Sequence, residues 1–194
     1  MTRRVPVLAT LIVALAVLAM IALGLWQLAR LDEKEAQLAR YQRAQAMSAE
    51  AAWPTRAEDI DGALYRRSRV DCARVLSIDT LAGHAASGET GWAHIARCAL
   101  PGGGTAAVAI GWAREPVRPQ WEGGRVDGIV GPYRNGAKLV AVPARAGLAQ
   151  LALPDPRDVP NNHLSYAVQW FLFALTALVI YVLALRKRWR SSAA

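Results

Sequence analysis

Two uncharged apolar stretches, residues 5–29 and 164–185, bound what this 194-residue chain can fold into. Each exceeds the roughly 20 residues a helix needs to cross a hydrocarbon core of about 30 Å. The chain between them has room for one domain. The expected class is therefore a membrane α+β protein, with two transmembrane helices at the termini flanking a small antiparallel β-rich extramembrane domain.

The net charge of +8 first suggests a nucleic-acid partner, but its distribution points elsewhere. Arg3 and Arg4 precede the first stretch, and Arg186, Lys187, Arg188 and Arg190 follow the second, with no acid beside them. The other 17 basic residues and all 15 acids lie between the stretches, so that segment carries only +2. Such a bias marks the flanks of spans that stay on the cytoplasmic side. No compact basic patch with interleaved aromatics appears, so the expected partner is the lipid bilayer and not nucleic acid. The layout expected for a bacterial inner-membrane protein is a cytoplasmic tail at 1–4, a first span at 5–29 and a helical extension at 30–50. A periplasmic β-rich domain at 51–162, a second span at 163–185 and a cytoplasmic basic tail at 186–194 complete it. A cleaved signal peptide is the rival for the first stretch. The stretch is longer than the ~7–15-residue apolar core of a signal, and Leu25-Trp26-Gln27 follows the weak Ala22-Leu23-Gly24 site at once. An uncleaved anchor is expected.

Beyond the first span the chain runs on without Pro or Gly through strong helix formers, with Leu28, Leu31 and Leu38 at helical spacing. One long helix is expected, reaching about Met47 and broken by Trp53-Pro54. From Leu64 the texture changes to short runs cut by glycine turns, with candidate strands at 67–76, 91–100, 105–112, 125–131, 138–142 and 148–151. Gly102-Gly103-Gly104 marks a hairpin loop, and Gly123-Gly124 and Asn135-Gly136 mark further turns. A small sheet, sandwich or open barrel fits this spacing. Pro154, Pro156 and Pro160 stiffen the approach to the second span.

Cys72 and Cys98 fall in neighbouring candidate strands. A disulfide is sterically conceivable there, and the spacing is not that of a Cys-x-x-Cys metal motif. His84 sits by a Gly/Ser turn and His94 in a strand, without clustered partners. There is no nucleophile elbow, phosphate-binding loop, H-E-x-x-H or recognisable carboxylate pair, so no enzymatic activity is expected.

The chemistry gathers where the spans open on the domain side. Trp26, Gln27, Arg30 and Lys34 close the first span; His163, Tyr166, Gln169 and Trp170 open the second. Polar groups at that depth are costly without partners. An antiparallel hairpin would bring these groups to one level, with an imidazole above a partly aromatic slot and a guanidinium at the water interface. That set suits a flat, apolar cofactor with an anionic edge: iron to His163, carboxylates toward Arg30 or Lys34. Helix capping by Asn161 or Asn162, with His163 in the headgroup zone, is the plainer alternative.

Gly24-x-Trp26-Gln27-x-x-Arg30-x-x-x-Lys34 and Asn161-Asn162-His163-Leu164-x-Tyr166-Ala167-x-Gln169-Trp170-Phe171 resemble the two motifs of the Surfeit-locus-one (Surf-one/Shy-one) proteins. Gly111-Trp112 in mid-domain adds to the resemblance, although Ile110 and Ala113-Arg114 depart from the family pattern of arginine before and Val-Pro after. The resemblance implies an assembly factor for haem–copper cytochrome c oxidase that binds haem a, with His163 on the iron, and assists its insertion into subunit I, with haem a synthase as a further partner. A haem-free scaffold for assembly intermediates, or a membrane-anchored copper-handling protein using Cys72, Cys98 and the domain histidines, are the alternatives. Oligomeric state, haem stoichiometry, the second axial ligand and the oxidase served are not legible in the sequence.

Overall fold

A computed structural model describes residues 6–191. The tail at 1–4 with Arg3 and Arg4, the first residue of the expected first span, and the last three residues of the basic tail lie outside that range. The chain divides into two compact units, one built on residues up to 37 and from 160 on, the other on residues 38–159.

The first unit is helical. Helix α1 runs Val7–Ala46 and continues beyond this unit; helix α3 runs His163–Ser191, six residues past the expected end of the second span. Both are long and apolar enough to cross a membrane. Pro6 precedes α1, where its missing N–H costs nothing, and its carbonyl accepts Thr10 N–H at 2.9 Å. Contacts across the helices include Thr10 with Tyr181, Gly24 with Phe171, and Gln27 with His163. As one number rises the other falls, so the pair is antiparallel. On α1 the less exposed positions Thr10, Val13, Val17, Met20, Gly24 and Gln27 step alternately by three and four, the spacing of a seam between two helices. A Cβ placed on Gly24 would lie 2.5 Å from Phe171 Cε1, so only glycine admits that ring. Ala167 and Ala174 are buried on the facing side of α3. Small residues let helix backbones approach where lipid offers no hydrophobic drive to associate.

The second unit holds the last turns of α1, a short helix α2 (Ile60–Ala63) and six strands: β1 (Arg67–Cys72), β2 (Arg74–His84), β3 (Thr90–Ala99), β4 (Thr105–Ala113), β5 (Gly124–Tyr133) and β6 (Gly136–Ala141). α1 ends at Ala46 because the chain is then drawn onto the sheet: Ala51 N–H donates to Arg67 O at 2.8 Å. Two antiparallel meanders, β2-β3-β4 and β1-β5-β6, join through the parallel pair β4/β6, giving the order β1-β5-β6-β4-β3-β2. The sheet is thus mostly antiparallel, with one parallel seam. The Gly102–Gly104 loop turns β3 into β4 as expected.

Three expectations need correction. The segment 67–76 is not one strand but the whole of β1 followed, after Ala73, by the start of β2, and the two lie on opposite edges of the sheet. β2 runs on to His84, which therefore closes a strand; its exposed, weakly alternating pattern hides it from a period-2 reading. Residues 148–151 form only isolated bridges, Ala149 to Trp112 and Leu151 to Ala85.

Cys72 and Cys98 are disulfide-bonded, but β1 and β3 are not neighbours. In a flat sheet, four strand spacings of ~4.8 Å would hold them about 19 Å apart. Their Cα atoms are 5.2 Å apart, and Ala73 N–H donates to Ala99 O at 3.0 Å. The sheet therefore curls into an open barrel, pinned at the point where the chain passes from one edge to the other. Its interior holds Val70, Val108, Ile110, Val126, Val130 and Leu139, all at or below 2% exposure. Tyr41 of α1 packs on Tyr65 at 4.9 Å between ring centroids and donates to Asp61, which docks the helix end on this core.

Two outcomes are expected. Replacing Cys72 and Cys98 with serine should cost the domain ~2–5 kcal/mol, read as a lower denaturant midpoint of the full chain in detergent, with reductant lowering the wild-type midpoint likewise. Gly24→Ala should destabilise the helix pair by ~1–3 kcal/mol through overpacking, and Phe171→Leu in the same chain should recover part of that loss. Additive single and double variants in thermal unfolding would refute the contact.

Candidate functional site

The site is built at the level where the α1–α3 seam meets the N-terminus of α3. Asn162 begins that helix through its backbone: its carbonyl accepts Tyr166 N–H at 3.2 Å and Ser165 Oγ–H at 2.8 Å. Asn161 Oδ1 is buried and has no hydrogen-bond partner among the described residues. His163 follows, half-buried, and its Nδ1 lies 2.8 Å from Gln27 Oε1 across the seam. The structure thus brings together two residues 136 positions apart in the chain.

Helical arithmetic places the others. At 3.6 residues per turn, each residue is turned about 100° from the next. In an antiparallel pair of right-handed helices, the residue just before a seam position falls on the same flank of both. Trp26 precedes Gln27, Arg30 precedes Leu31, Tyr166 precedes Ala167 and Trp170 precedes Phe171. These four therefore share one flank of the hairpin. Phe173, which precedes Ala174, meets Trp170 edge to face with centroids 6.1 Å apart, as neighbours on that flank would. Trp26 is 55% and Tyr166 50% exposed, so two aromatic surfaces are open there.

The seam itself is filled at this level by Phe171 against Gly24 and by fully buried Ala167. Tyr166 and Ala167, adjacent in the motif, therefore point apart: Ala167 turns inward and Tyr166 onto the flank. Gln169 lies on the outer side of α3 and is exposed. Arg30 pairs with Glu33 on its own helix, with about half of its side chain exposed. Lys34 lies on the seam line further along α1 and donates to Gln37 Oε1 at 3.1 Å. An exposed ion pair of this kind holds its partners weakly, so Arg30 is available to another anion.

Sequence reasoning missed the flank as a unit. Its signal is present, since Trp26/Arg30 and Tyr166/Trp170 are both four apart, but it becomes readable only once the seam is known. Gly111-Trp112 of the domain serves packing. A Cβ on Gly111 would stand 2.5 Å from Leu148 Cβ, and Trp112 Nε1–H donates to Gly83 O at 3.2 Å.

The domain offers less to a metal. Both cysteine sulfurs are committed to the disulfide, which removes the thiolates a copper site would use. His84 is exposed, whereas His94 is fully buried with Nδ1 3.2 Å from Thr80 Oγ1. Burial holds the His94 pKa below the usual histidine value. Among the described residues no group of three or more His, Cys, Asp or Glu side chains converges as a metal cage.

No curated protein matches this chain significantly. The family model described as "SURF1 family" matches residues 14–175, from inside α1 through the whole domain and past Phe171. The chain therefore belongs to the SURF1 family, which is linked to the assembly of cytochrome c oxidase.

Proposed function

We propose that this protein carries haem a during cytochrome c oxidase assembly, holding it at the domain-side end of the helix pair. In this reading haem a synthase is the donor and oxidase subunit I the acceptor. The observation that carries it is His163, a half-exposed imidazole anchored through one nitrogen to Gln27 with the other nitrogen free of protein partners in the described structure. Histidine bonded in this way is a prepared metal ligand.

The residues present fit such a group. Haem a supplies an iron that accepts an imidazole nitrogen, a broad apolar ring and a carboxylate edge. His163 is the nitrogen donor. Trp26 and Tyr166 offer exposed aromatic surface on one flank of the hairpin, and Arg30 on the same flank exchanges Glu33 for a carboxylate at little cost. Gln169, on the outer side of α3, and Lys34, on the seam line, stand apart from these four.

The layout that goes with this reading has both spans in the bacterial inner membrane, the termini in the cytoplasm and the domain in the periplasm. It is supported by two helices of spanning length and by the uncompensated positive charges at both ends. A reporter active only in the periplasm should be silent when fused after Ala194. Inserted at Gly103, whose surroundings are open for 4 Å, it should be active. The opposite pattern would invert the layout.

Haem retained per protein, after purification from cells that make haem a, tests the cofactor. His163→Ala should lose most of the bound haem with an unchanged circular dichroism spectrum. Arg30→Ala should weaken retention about 10–100-fold without abolishing it, the loss of one charge-assisted hydrogen bond worth ~1.5–3 kcal/mol. Wild-type haem content in a folded His163→Ala protein would refute the ligand role and favour a haem-free scaffold.

A further inference from the structure

His163 has two ring nitrogens, and only one can face a metal while the other faces Gln27. The contact atom on Gln27 is Oε1, the amide oxygen, 2.8 Å from Nδ1. That oxygen has lone pairs and no proton, so Nδ1 must be the donor. In the neutral ring the second nitrogen, Nε2, is then left with its lone pair. We infer that Gln27 is a positioning residue that selects the His163 tautomer, fixing Nε2 as the ligating atom and holding the ring plane. This rests on the proposed role of His163, but the tautomer itself is a property of the protein without cofactor.

The inference draws on more than one contact. An unconstrained histidine in water carries its proton mainly on Nε2, the opposite arrangement, so an Nδ1–H tautomer needs an acceptor to hold it. Gln27 occupies a seam position of α1, three residues from Gly24, and Gly24 seats Phe171 of α3. The close approach at Gly24 therefore sets the height at which Gln27 meets His163. A glutamine here would otherwise place an amide at the edge of the apolar zone, and bonding to His163 satisfies its oxygen. Histidine ligands in metal sites are oriented in the same way, by a carbonyl or carboxylate on the far nitrogen, and losing that partner costs about 10–100-fold in affinity.

The test is the ring tautomer of His163, read from nitrogen and carbon chemical shifts of labelled, haem-free full-length protein in detergent, at a pH where the ring is neutral. The wild type should show the Nδ1–H form. Gln27→Met, similar in length but without the amide oxygen, should shift the ring toward Nε2–H, and Gln27→Glu, which keeps an acceptor, should retain Nδ1–H. A wild-type ring protonated on Nε2, or a Gln27→Met spectrum unchanged from wild type, would overturn the inference. Haem retention is the second measurement: Gln27→Met should hold haem 10–100-fold more weakly while Gln27→Glu holds it. Should Gln27→Met switch the tautomer while haem content stays the same in it and in His163→Ala, the tautomer assignment stands and the haem reading fails. No tautomer change together with haem loss in His163→Ala separates the two the other way.

Discussion

A polar side chain on a helix surrounded by hydrocarbon must find a partner within the protein, and that requirement organises the helical unit. Two polar pairs meet across its seam: Thr10 with Tyr181 towards one end, Gln27 with His163 at the other. The stretch between is closed by Val13, Val17, Met20 and Gly24 of α1 and by Phe171 and Ala174 of α3. Interhelical hydrogen bonds of this kind contribute only about 0.6–2 kcal/mol each in membranes. Their larger effect is on register: sliding α3 along α1 by one turn would break both pairs at once and drive Phe171 into a residue larger than glycine.

The domain meets a different version of the same demand. Its β1 and β2 are consecutive in the chain but sit on opposite edges of the sheet, which a flat sheet would leave far apart. Curling brings the edges near one another at Cys72 and Ala73, and the disulfide fixes that closure. The interior so formed is filled by aliphatic side chains, and the buried polar residues of the domain include Ser68 and His94, the latter kept neutral over a wider pH range by its burial.

Much of the fold was legible because it rests on local pattern. Two uncharged stretches of spanning length, unbroken helix formers up to Met47 and glycine punctuation at Gly102–Gly104 all act over a few residues. What escaped depends on contacts between distant parts. β2 is an exposed edge strand, so nothing in its own alternation announces residues 77–84. The cysteine pairing could be suspected, but not that it closes a curled sheet. In the candidate site the residue types and their depth could be read from the motifs; which of them meet could not. Gln27 and His163 find each other only through the register set by Gly24 and Phe171, and a glycine inside an apolar run gives no sign of which ring will lie against it.

That register also bears on how a cofactor carrier could work. A ligand held between the helices would require the seam to open, and Gly24 with Phe171 and Ala167 leaves it closed. Trp26, Arg30, Tyr166 and Trp170 stand instead on the outside of the pair, on one flank, with the His163 ring anchored by Gln27. On the proposed reading, the cofactor rests against a surface and is gripped strongly at a single atom. Enclosure maximises affinity, because it buries most of a ligand's area, but it slows release. An open flank at one depth of the bilayer gives up that area and leaves the other face of a flat ligand free to meet the next protein before the first has let go. On that reading the polar anchor in the seam holds the group while the apolar contacts outside it let the group pass on without meeting water.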